Sequence, residues 1–169
     1  MYPHLTALIS RLPSGQFITI TGAIAQLRNG DVHYPFRQDS DFLYLTGLSV
    51  PGLVMIIHDS AVILWREAIT DLDRVWGSDK ISDDEMTRIS GIIDIRDVGG
   101  LDLYKQTKIE QDLSLSITDT DGLCRDDNAW KTIVHSLRLI KTPDEIEKIQ
   151  KAISVSQEAF AHIESTLRP

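Results

Sequence analysis

The acidic and basic side chains of one aromatic-rich segment have the types and spacing that acid–base catalysis uses. Arg37, Asp39 and Asp41 alternate along the chain, and a positioned carboxylate can take or give a proton. A structural interpretation explains the same residues: Arg37 pairs with one carboxylate, Asp39 or Ser40 caps a short helix, and Gly47 ends that helix in a left-handed conformation. We therefore predict that this segment is structural and that it contains no catalytic residue.

Metal and nucleophile chemistry find little support in the sequence. No two histidines have a ligand spacing on one helix face, so no metal site is predicted. Cys124 stands in a loop beside Asp126 and Asp127, and acidic neighbours disfavour the thiolate that a nucleophile needs. The five histidines are His4, His33, His58, His135 and His162.

Trp76 is the one residue for which we predict a functional contact. It lies among charged residues in the segment 71–77, and an aromatic side chain in such surroundings often contacts a partner. The alternative is that Trp76 covers an edge of its own core, and the sequence does not separate the two. Trp65 ends an apolar run and Trp130 opens a predicted helix, so both are expected in the core.

The elements that must position these residues alternate between strands and helices. Two apolar runs are joined by a tight turn at 58–60, which predicts a hairpin buried on both faces. A hairpin within an alternating order predicts an α/β fold, with a mixed β-sheet flanked by helices. The predicted strands are 17–21, 53–57, 61–65, 92–95 and 113–117. The predicted helices are 3–12, 82–89, 101–105, 130–139 and a long one from Thr142 onward.

The last predicted helix carries a continuous apolar stripe, with members three and four residues apart in alternation. This stripe packs either on the sheet of its own domain or on a larger partner surface. We favour the second, because no later sequence remains to cover it. In the isolated chain we expect the helix either to pair with a copy from another molecule or to fray beyond Ser156. The stripe consists of Ile146, Ile149, Ile153, Ser156, Phe160, Ile163 and Leu167.

Size and composition disfavour several classes of partner. A chain of 169 residues suits one domain with an appendage. The net charge of -8 argues against nucleic acid and anionic membranes as partners. No apolar run approaches the roughly 20 residues that span a bilayer. No secretory signal is visible, and a single cysteine permits no internal disulfide. We therefore expect a cytoplasmic protein with no nucleic-acid or membrane partner.

Two segments resemble a known family. The first is His33–Gly47, which contains Arg37-Gln38-Asp39-Ser40. The second is 138–146, which contains Thr142-Pro143-Asp144-Glu145. Both are similar to aminopeptidase P of the creatinase and prolidase superfamily. The similarity is weak between Ile81 and Asn128. It implies that residues 1–139 form the amino-terminal domain, with a ribonuclease H-like α/β fold. It further implies that residues 140–169 are the linker and first helix of a catalytic, pita-bread domain that is otherwise absent.

The resemblance implies a function for the parent protein. Aminopeptidase P removes the N-terminal residue that precedes proline, and two metal ions, usually manganese, activate its bridging water. The family's metal ligands lie in the catalytic domain, so no cofactor is expected in this chain. The domain seen here would support assembly into a dimer or tetramer and limit access of peptides to the active site. In similar tetramers a tryptophan at the place of Trp76 lines a neighbour's substrate pocket.

Two other interpretations of the resemblance remain open. The parent protein is a prolidase or creatinase in the first, and a non-catalytic, protein-binding relative with the pita-bread fold in the second. The residues after Pro169 would distinguish them, because an enzyme keeps the metal ligands and a binding module has lost them. On its own, the chain is expected to catalyse nothing.

Overall fold

The computed structural model describes residues 2–30, 32–58, 60–71, 75, 81–102, 104 and 129–167. The chain divides into two compact units, Met1–Val134 and His135–Pro169. The strands within the described residues are β1 (Phe17–Thr21), β2 (Leu27–Asn29), β3 (Val32–His33), β4 (Val54–His58), β5 (Ala61–Arg66) and β6 (Asp94–Asp97). The helices are α1 (Pro3–Ile9), α2 (Ser40–Thr46), α3 (Asp83–Ser90), α4 (Ala129–Leu139) and α5 (Pro143–Thr166), with a 3₁₀ turn at Val98–Gly100.

Four strands of the first unit form a mixed sheet in the order β1-β4-β5-β6. The pairs β1–β4 and β4–β5 are antiparallel, whereas β5 and β6 run parallel. β2 and β3 form a separate two-stranded antiparallel sheet. The predicted α/β class, with a mixed sheet and flanking helices, is confirmed.

The central hairpin is buried on both faces, as its continuous apolar runs predict. His58 pairs with Ala61, so the connection is a two-residue turn, and Ser60 adopts a left-handed φ of 67° there. Ile56 pairs with Ile63 on one face, where Trp65 and Leu101 complete a buried cluster. The opposite face is buried as well, through Ile18, Ile20, Met55, Ile57, Val62 and Leu64.

The first helix is shorter than the predicted range 3–12. α1 ends at Ile9, and the chain then makes a turn in which Leu12 N–H donates to Ile9 O over 3.3 Å. Pro13 follows, and a proline disfavours the helical conformation for the residue before it. The buried face of α1 consists of Leu5 and Leu8, as its periodicity predicts.

The strand predicted at 92–95 begins two residues later, at Asp94, because side chains of α3 hold Ile92 just beyond the end of that helix. Ser82 caps α3 by accepting from Glu85 N–H over 3.2 Å, and Gly91 ends it with a left-handed φ of 69°. Ile92 N–H then donates to Ser90 Oγ over 3.1 Å, and Ile92 O accepts from Thr87 Oγ1 over 2.9 Å. Both backbone groups of Ile92 thus bond to side chains of α3, and β6 begins at Asp94.

Two helices near the carboxyl end confirm the predicted ones. α4 begins at Ala129, and Trp130 on it is buried. Thr142 opens α5 with a capping box: Glu145 N–H donates to Thr142 Oγ1 over 3.3 Å, and Thr142 N–H donates to Glu145 Oε2 over 2.8 Å. None of the 24 residues of α5 is buried.

Some predictions lie outside the described residues. They are the strand at 113–117, the acidic loop with Cys124, and the position of Trp76. Among the helices that the structure does describe, none is long and apolar enough to cross a membrane.

Candidate functional site

Trp76, the predicted contact residue, lies outside the described residues, so its role stays a prediction. The last described residue before it, Val75, is 77% exposed. The other two tryptophans are core residues, as predicted: Trp65 is 3% exposed and Trp130 is 6% exposed.

The carboxylate of Asp39 is a helix cap. Asp39 Oδ1 accepts hydrogen bonds from Asp41 N–H over 3.0 Å and from Phe42 N–H over 2.9 Å. These bonds satisfy two of the backbone donors that the start of α2 leaves without helical partners. Gly47 ends the helix in the left-handed conformation, with a φ of 70°. The structural interpretation is confirmed for Asp39, and the cap is Asp39 rather than Ser40.

Gln38 has a buried, hydrogen-bonded amide that the sequence pattern does not single out. Its role is structural. Its side chain is 4% exposed. Oε1 accepts from Ala23 N–H over 2.6 Å and from Asp39 N–H over 2.9 Å, while Nε2 donates to Val50 O over 2.7 Å. One side chain thus joins the segment after β1, the start of α2 and the approach to β4.

The glycine that makes room for this amide is Gly22. A Cβ at Gly22 would lie 3.0 Å from Gln38 Oε1 and 3.2 Å from Leu53 O. Gly22 N–H also donates to Leu53 O over 2.8 Å. A glycine just after a strand, followed later by a glutamine beside a helix cap, is the only sequence pattern that points to this contact.

The predicted ion pair of Arg37 is wrong. Arg37 is exposed and forms no ion pair with any residue in the described part of the chain. The physical reason is that Asp39 directs its carboxylate at the amino end of α2 instead. Arg37 therefore presents a positive charge at the surface.

An exposed hairpin, β2–β3, lies between β1 and the Gln38 contact. Leu27, Val32 and Tyr34 are 59%, 49% and 55% exposed. Tyr34 N–H donates to Gln26 O over 2.9 Å, and the guanidinium of Arg28 lies 5.9 Å from the centre of the Tyr34 ring. Apolar and cationic groups at such exposure form a surface suited to contact with another molecule.

A second exposed apolar surface is the stripe on α5, which we call the α5 seam. Its isoleucines at 146, 149, 153 and 163 are 45–51% exposed, and Phe160 is 73% exposed. The one polar member, Ser156, donates its hydroxyl to Ala152 O over 3.0 Å. The helix itself therefore satisfies that hydroxyl, and the seam can be covered without leaving it unpaired.

A cluster of charged and aromatic side chains lies at the β6 edge of the sheet. The guanidinium of Arg96 lies 5.6 Å from the ring centre of Trp65 and 5.3 Å from that of Tyr104. Asp94 accepts from Arg96 Nε over 2.8 Å and from Nη2 over 2.6 Å, and this contact raises the pKa of Arg96. The Arg96 guanidinium, held by the Asp94 carboxylate and packed against two rings, stabilises the β6 edge of the sheet. Neither Arg96 nor Asp94 is left free to act as a base.

The described residues do not fit a metal ion. No group of three or more histidine, cysteine, aspartate or glutamate side chains within them is placed to hold one. Within the His33–Gly47 segment, the side chains of Gln38, Asp39 and Thr46 are engaged with backbone groups.

Comparison with known proteins identifies the fold. A family model described as "Aminopeptidase P, N-terminal domain" matches residues 4–115. The Xaa-Pro aminopeptidase of Escherichia coli K12 is 24% identical over 96% of this chain, and a protein from Arabidopsis thaliana named "Intermediate cleaving peptidase 55, mitochondrial" is 28% identical over 88%. The chain spans only 43% and 33% of these two proteins.

Solved structures agree with the sequence comparison. A low-pH form of aminopeptidase P from E. coli matches 98% of this chain with a TM-score of 0.75 and 21% identity, and the match covers 44% of that protein. A structure described as a putative aminopeptidase P from Bacillus anthracis matches 93% of the chain with a TM-score of 0.74 and 20% identity. At such identity the likeness establishes the fold, and the match over residues 4–115 establishes the family. The chain belongs to the family of aminopeptidase P N-terminal domains.

Proposed function

We propose that the chain is the amino-terminal, non-catalytic part of a metal-dependent Xaa-Pro aminopeptidase, a hydrolase that removes the N-terminal residue preceding proline. The observation that carries the proposal is the family match over residues 4–115. A relative named Xaa-Pro aminopeptidase also supports the proposal, and the chain spans 43% of the length of that relative. A share of that size leaves room for a catalytic domain in the parent protein.

The proposed role of the chain is to support oligomerisation and to limit access to the active site. Two polar side chains of its most characteristic segment, Gln38 and Asp39, hold parts of the fold together. Its exposed apolar surfaces, the β2–β3 hairpin and the α5 seam, are suited to contacts with other domains. Trp76 is the proposed residue for a subunit contact or for the wall of a substrate pocket.

The proposed cofactor and partners belong to the parent protein. Two manganese ions would be held in its catalytic domain, since the described residues of this chain do not fit a metal. The proposed partners are that catalytic domain, further copies in a dimer or tetramer, and proline-containing peptides as substrate. The proposed location is the cytoplasm.

Substrate choice of the parent protein tests the proposal. The whole gene product is purified and incubated with manganese and with each of three substrates: a tripeptide with proline second, a dipeptide ending in proline, and creatine. Release of the first residue from the tripeptide is the expected result. Preference for the dipeptide would instead identify a prolidase, and turnover of creatine a creatinase. A folded protein with no turnover of any of them would identify a non-catalytic binding relative.

A further inference from the structure

The tip of the β2–β3 hairpin carries an asparagine followed directly by a glycine, Asn29-Gly30. Asn29 is the last residue of β2 and pairs with Val32 of β3, so Gly30 is the first residue of the turn. Both Asn29 and Gly30 are exposed, and Gly30 has a left-handed φ of 53°. Asparagine is one of the thermolabile residue types. The hairpin tip therefore holds the groups that a covalent change without an enzyme requires.

We propose that Asn29-Gly30 is a site of spontaneous deamidation. The backbone nitrogen of Gly30 attacks the Cγ atom of the Asn29 side chain, and the new N–Cγ bond closes a succinimide ring. The Cγ–Nδ2 bond breaks, and the side-chain nitrogen leaves as ammonia with the proton that the Gly30 nitrogen has lost. Water then opens the ring at one of its two carbonyl carbons. Opening at one carbonyl leaves aspartate at position 29, and opening at the other leaves isoaspartate.

The glycine makes the attacking nitrogen accessible. Gly30 has no Cβ to hinder the approach of the Asn29 side chain. A Cβ built on Gly30 would meet no heavy atom within 4 Å, so the surroundings leave this position open as well. In a β-turn the hydrogen bond joins the first and fourth residues, here Asn29 and Val32. The N–H of the second residue, Gly30, is not needed for that bond and can be given up.

The hairpin can open locally while the rest of the unit stays folded. The attack needs Asn29 to rotate out of its strand conformation, so the rate depends on this opening. β2 has three residues and β3 has two, and every one of them is exposed. An isolated two-stranded hairpin of this kind is marginally stable, so its opening costs little free energy. The bond from Ala23 N–H to Gln38 Oε1 fixes the ends of the segment and is not broken by the opening.

Deamidation changes both the charge and the backbone of the hairpin. Either product places a carboxylate beside Arg28, whose guanidinium lies 5.9 Å from the ring centre of Tyr34. Isoaspartate also adds one carbon to the main chain between positions 29 and 30, and this carbon falls next to the pair of Asn29 with Val32. The exposed surface of the hairpin therefore gains a negative charge and loses its register as the protein ages.

Peptide mapping by mass spectrometry tests the site in the whole gene product, so that any surface covered in the parent protein stays covered. The folded protein is aged at about pH 6 and about pH 8, and peptic digestion at low pH then stops the reaction. The internal control is Asn128, the only other asparagine of the chain, which precedes Ala129. Residue 29 is expected to gain one mass unit about tenfold faster than residue 128, because alanine hinders the attack. The gain should be faster at the higher pH, since the attacking nitrogen must lose its proton.

The products and two variants test the route through the ring. Aspartyl and isoaspartyl peptides have the same mass and separate by chromatography, and both are expected. Gly30→Ala should slow the mass gain by about fivefold or more, because its Cβ lies beside the attacking nitrogen. Asn29→Gln should show no gain on the same timescale, since its longer side chain would have to close a larger ring. Circular dichroism checks that both variants are folded.

Three results would overturn the proposal. The first is a mass gain at residue 29 that is absent or no faster than the gain at residue 128. The second is aspartate as the only product, which would mean direct hydrolysis of the amide without a ring. The third is an unchanged rate in Gly30→Ala or in Asn29→Gln. None of these measurements depends on peptidase activity, so the modification and the proposed function are tested separately.

Discussion

The side-chain oxygen of Gln38 lies 2.6 Å from the backbone nitrogen of Ala23. This hydrogen bond joins the two ends of the segment 23–38, which contains the β2–β3 hairpin. The same side chain donates to Val50 O over 2.7 Å. The two ends of the hairpin segment are therefore fixed to each other, although its apolar residues Leu27, Val32 and Tyr34 are exposed.

Gln38→Leu should destabilise the fold by about 2–3 kcal/mol, because it leaves Ala23 N–H, Asp39 N–H and Val50 O without their shared partner in a partly buried place. Urea unfolding followed by circular dichroism measures the change. The matched control is Gln26→Leu, which replaces an exposed glutamine and should change stability by less than about 0.5 kcal/mol. Equal stability of the two variants would contradict the role assigned to Gln38.

Asp39→Ala should cost about 1 kcal/mol, since it removes the acceptor of two N–H groups at the start of α2. In a domain of this size that corresponds to a fall in melting temperature of roughly 2–4 °C. Ser40→Ala is the comparison, because Ser40 was the other candidate cap and is the first residue of the helix. A larger effect at Ser40 than at Asp39 would show that the cap is assigned to the wrong residue.

Trp65→Ala and Trp76→Ala should behave differently. Trp65 is 3% exposed, and its truncation is expected to cost about 3–5 kcal/mol. If Trp76 is a subunit contact, Trp76→Ala in the whole protein keeps its melting temperature and loses peptidase activity or assembly. Thermal unfolding, specific activity and gel filtration on the same preparations give the three readouts. A clear fall in melting temperature with unchanged specific activity would identify Trp76 as a core residue.

Stability should fall at alkaline pH partly through Tyr104. Burial is the main cause that raises the pKa of Tyr104; the charge of Arg96 lowers it, and that of Asp94 raises it further. The unfolded chain then loses the phenolic proton near pH 10, before the folded protein does, so the free energy of unfolding decreases as the pH rises above about 10. Tyr104→Phe removes this contribution.

The measurement compares urea unfolding of the native chain and Tyr104→Phe at about pH 8 and about pH 10.5. The native chain should lose more stability between the two values than the variant. Parallel losses in both proteins would mean that Tyr104 does not contribute to the alkaline decline.

The sequence predicted best where a local pattern decides the structure. The apolar runs of β4 and β5, the cap and stop of α2 and the capping box of α5 all follow from residues close together in the chain. It failed where a contact joins distant segments. Gln38 bonds to Ala23 and Val50, neither of which periodicity marks. The predicted ion pair of Arg37 is wrong because the Asp39 carboxylate has two possible partners, a guanidinium and the amino end of a helix. The sequence alone does not rank these two partners.

The central claim is that the chain supports a proline-specific aminopeptidase without catalysing the reaction itself. The most direct test incubates the 169-residue chain with manganese and a tripeptide that has proline second, beside the whole gene product. Circular dichroism first establishes that the chain is folded, and release of the first residue is then followed over time. The account predicts no release above a manganese-only control from the chain and metal-dependent release from the whole product. Metal-dependent turnover by the 169-residue chain would contradict it.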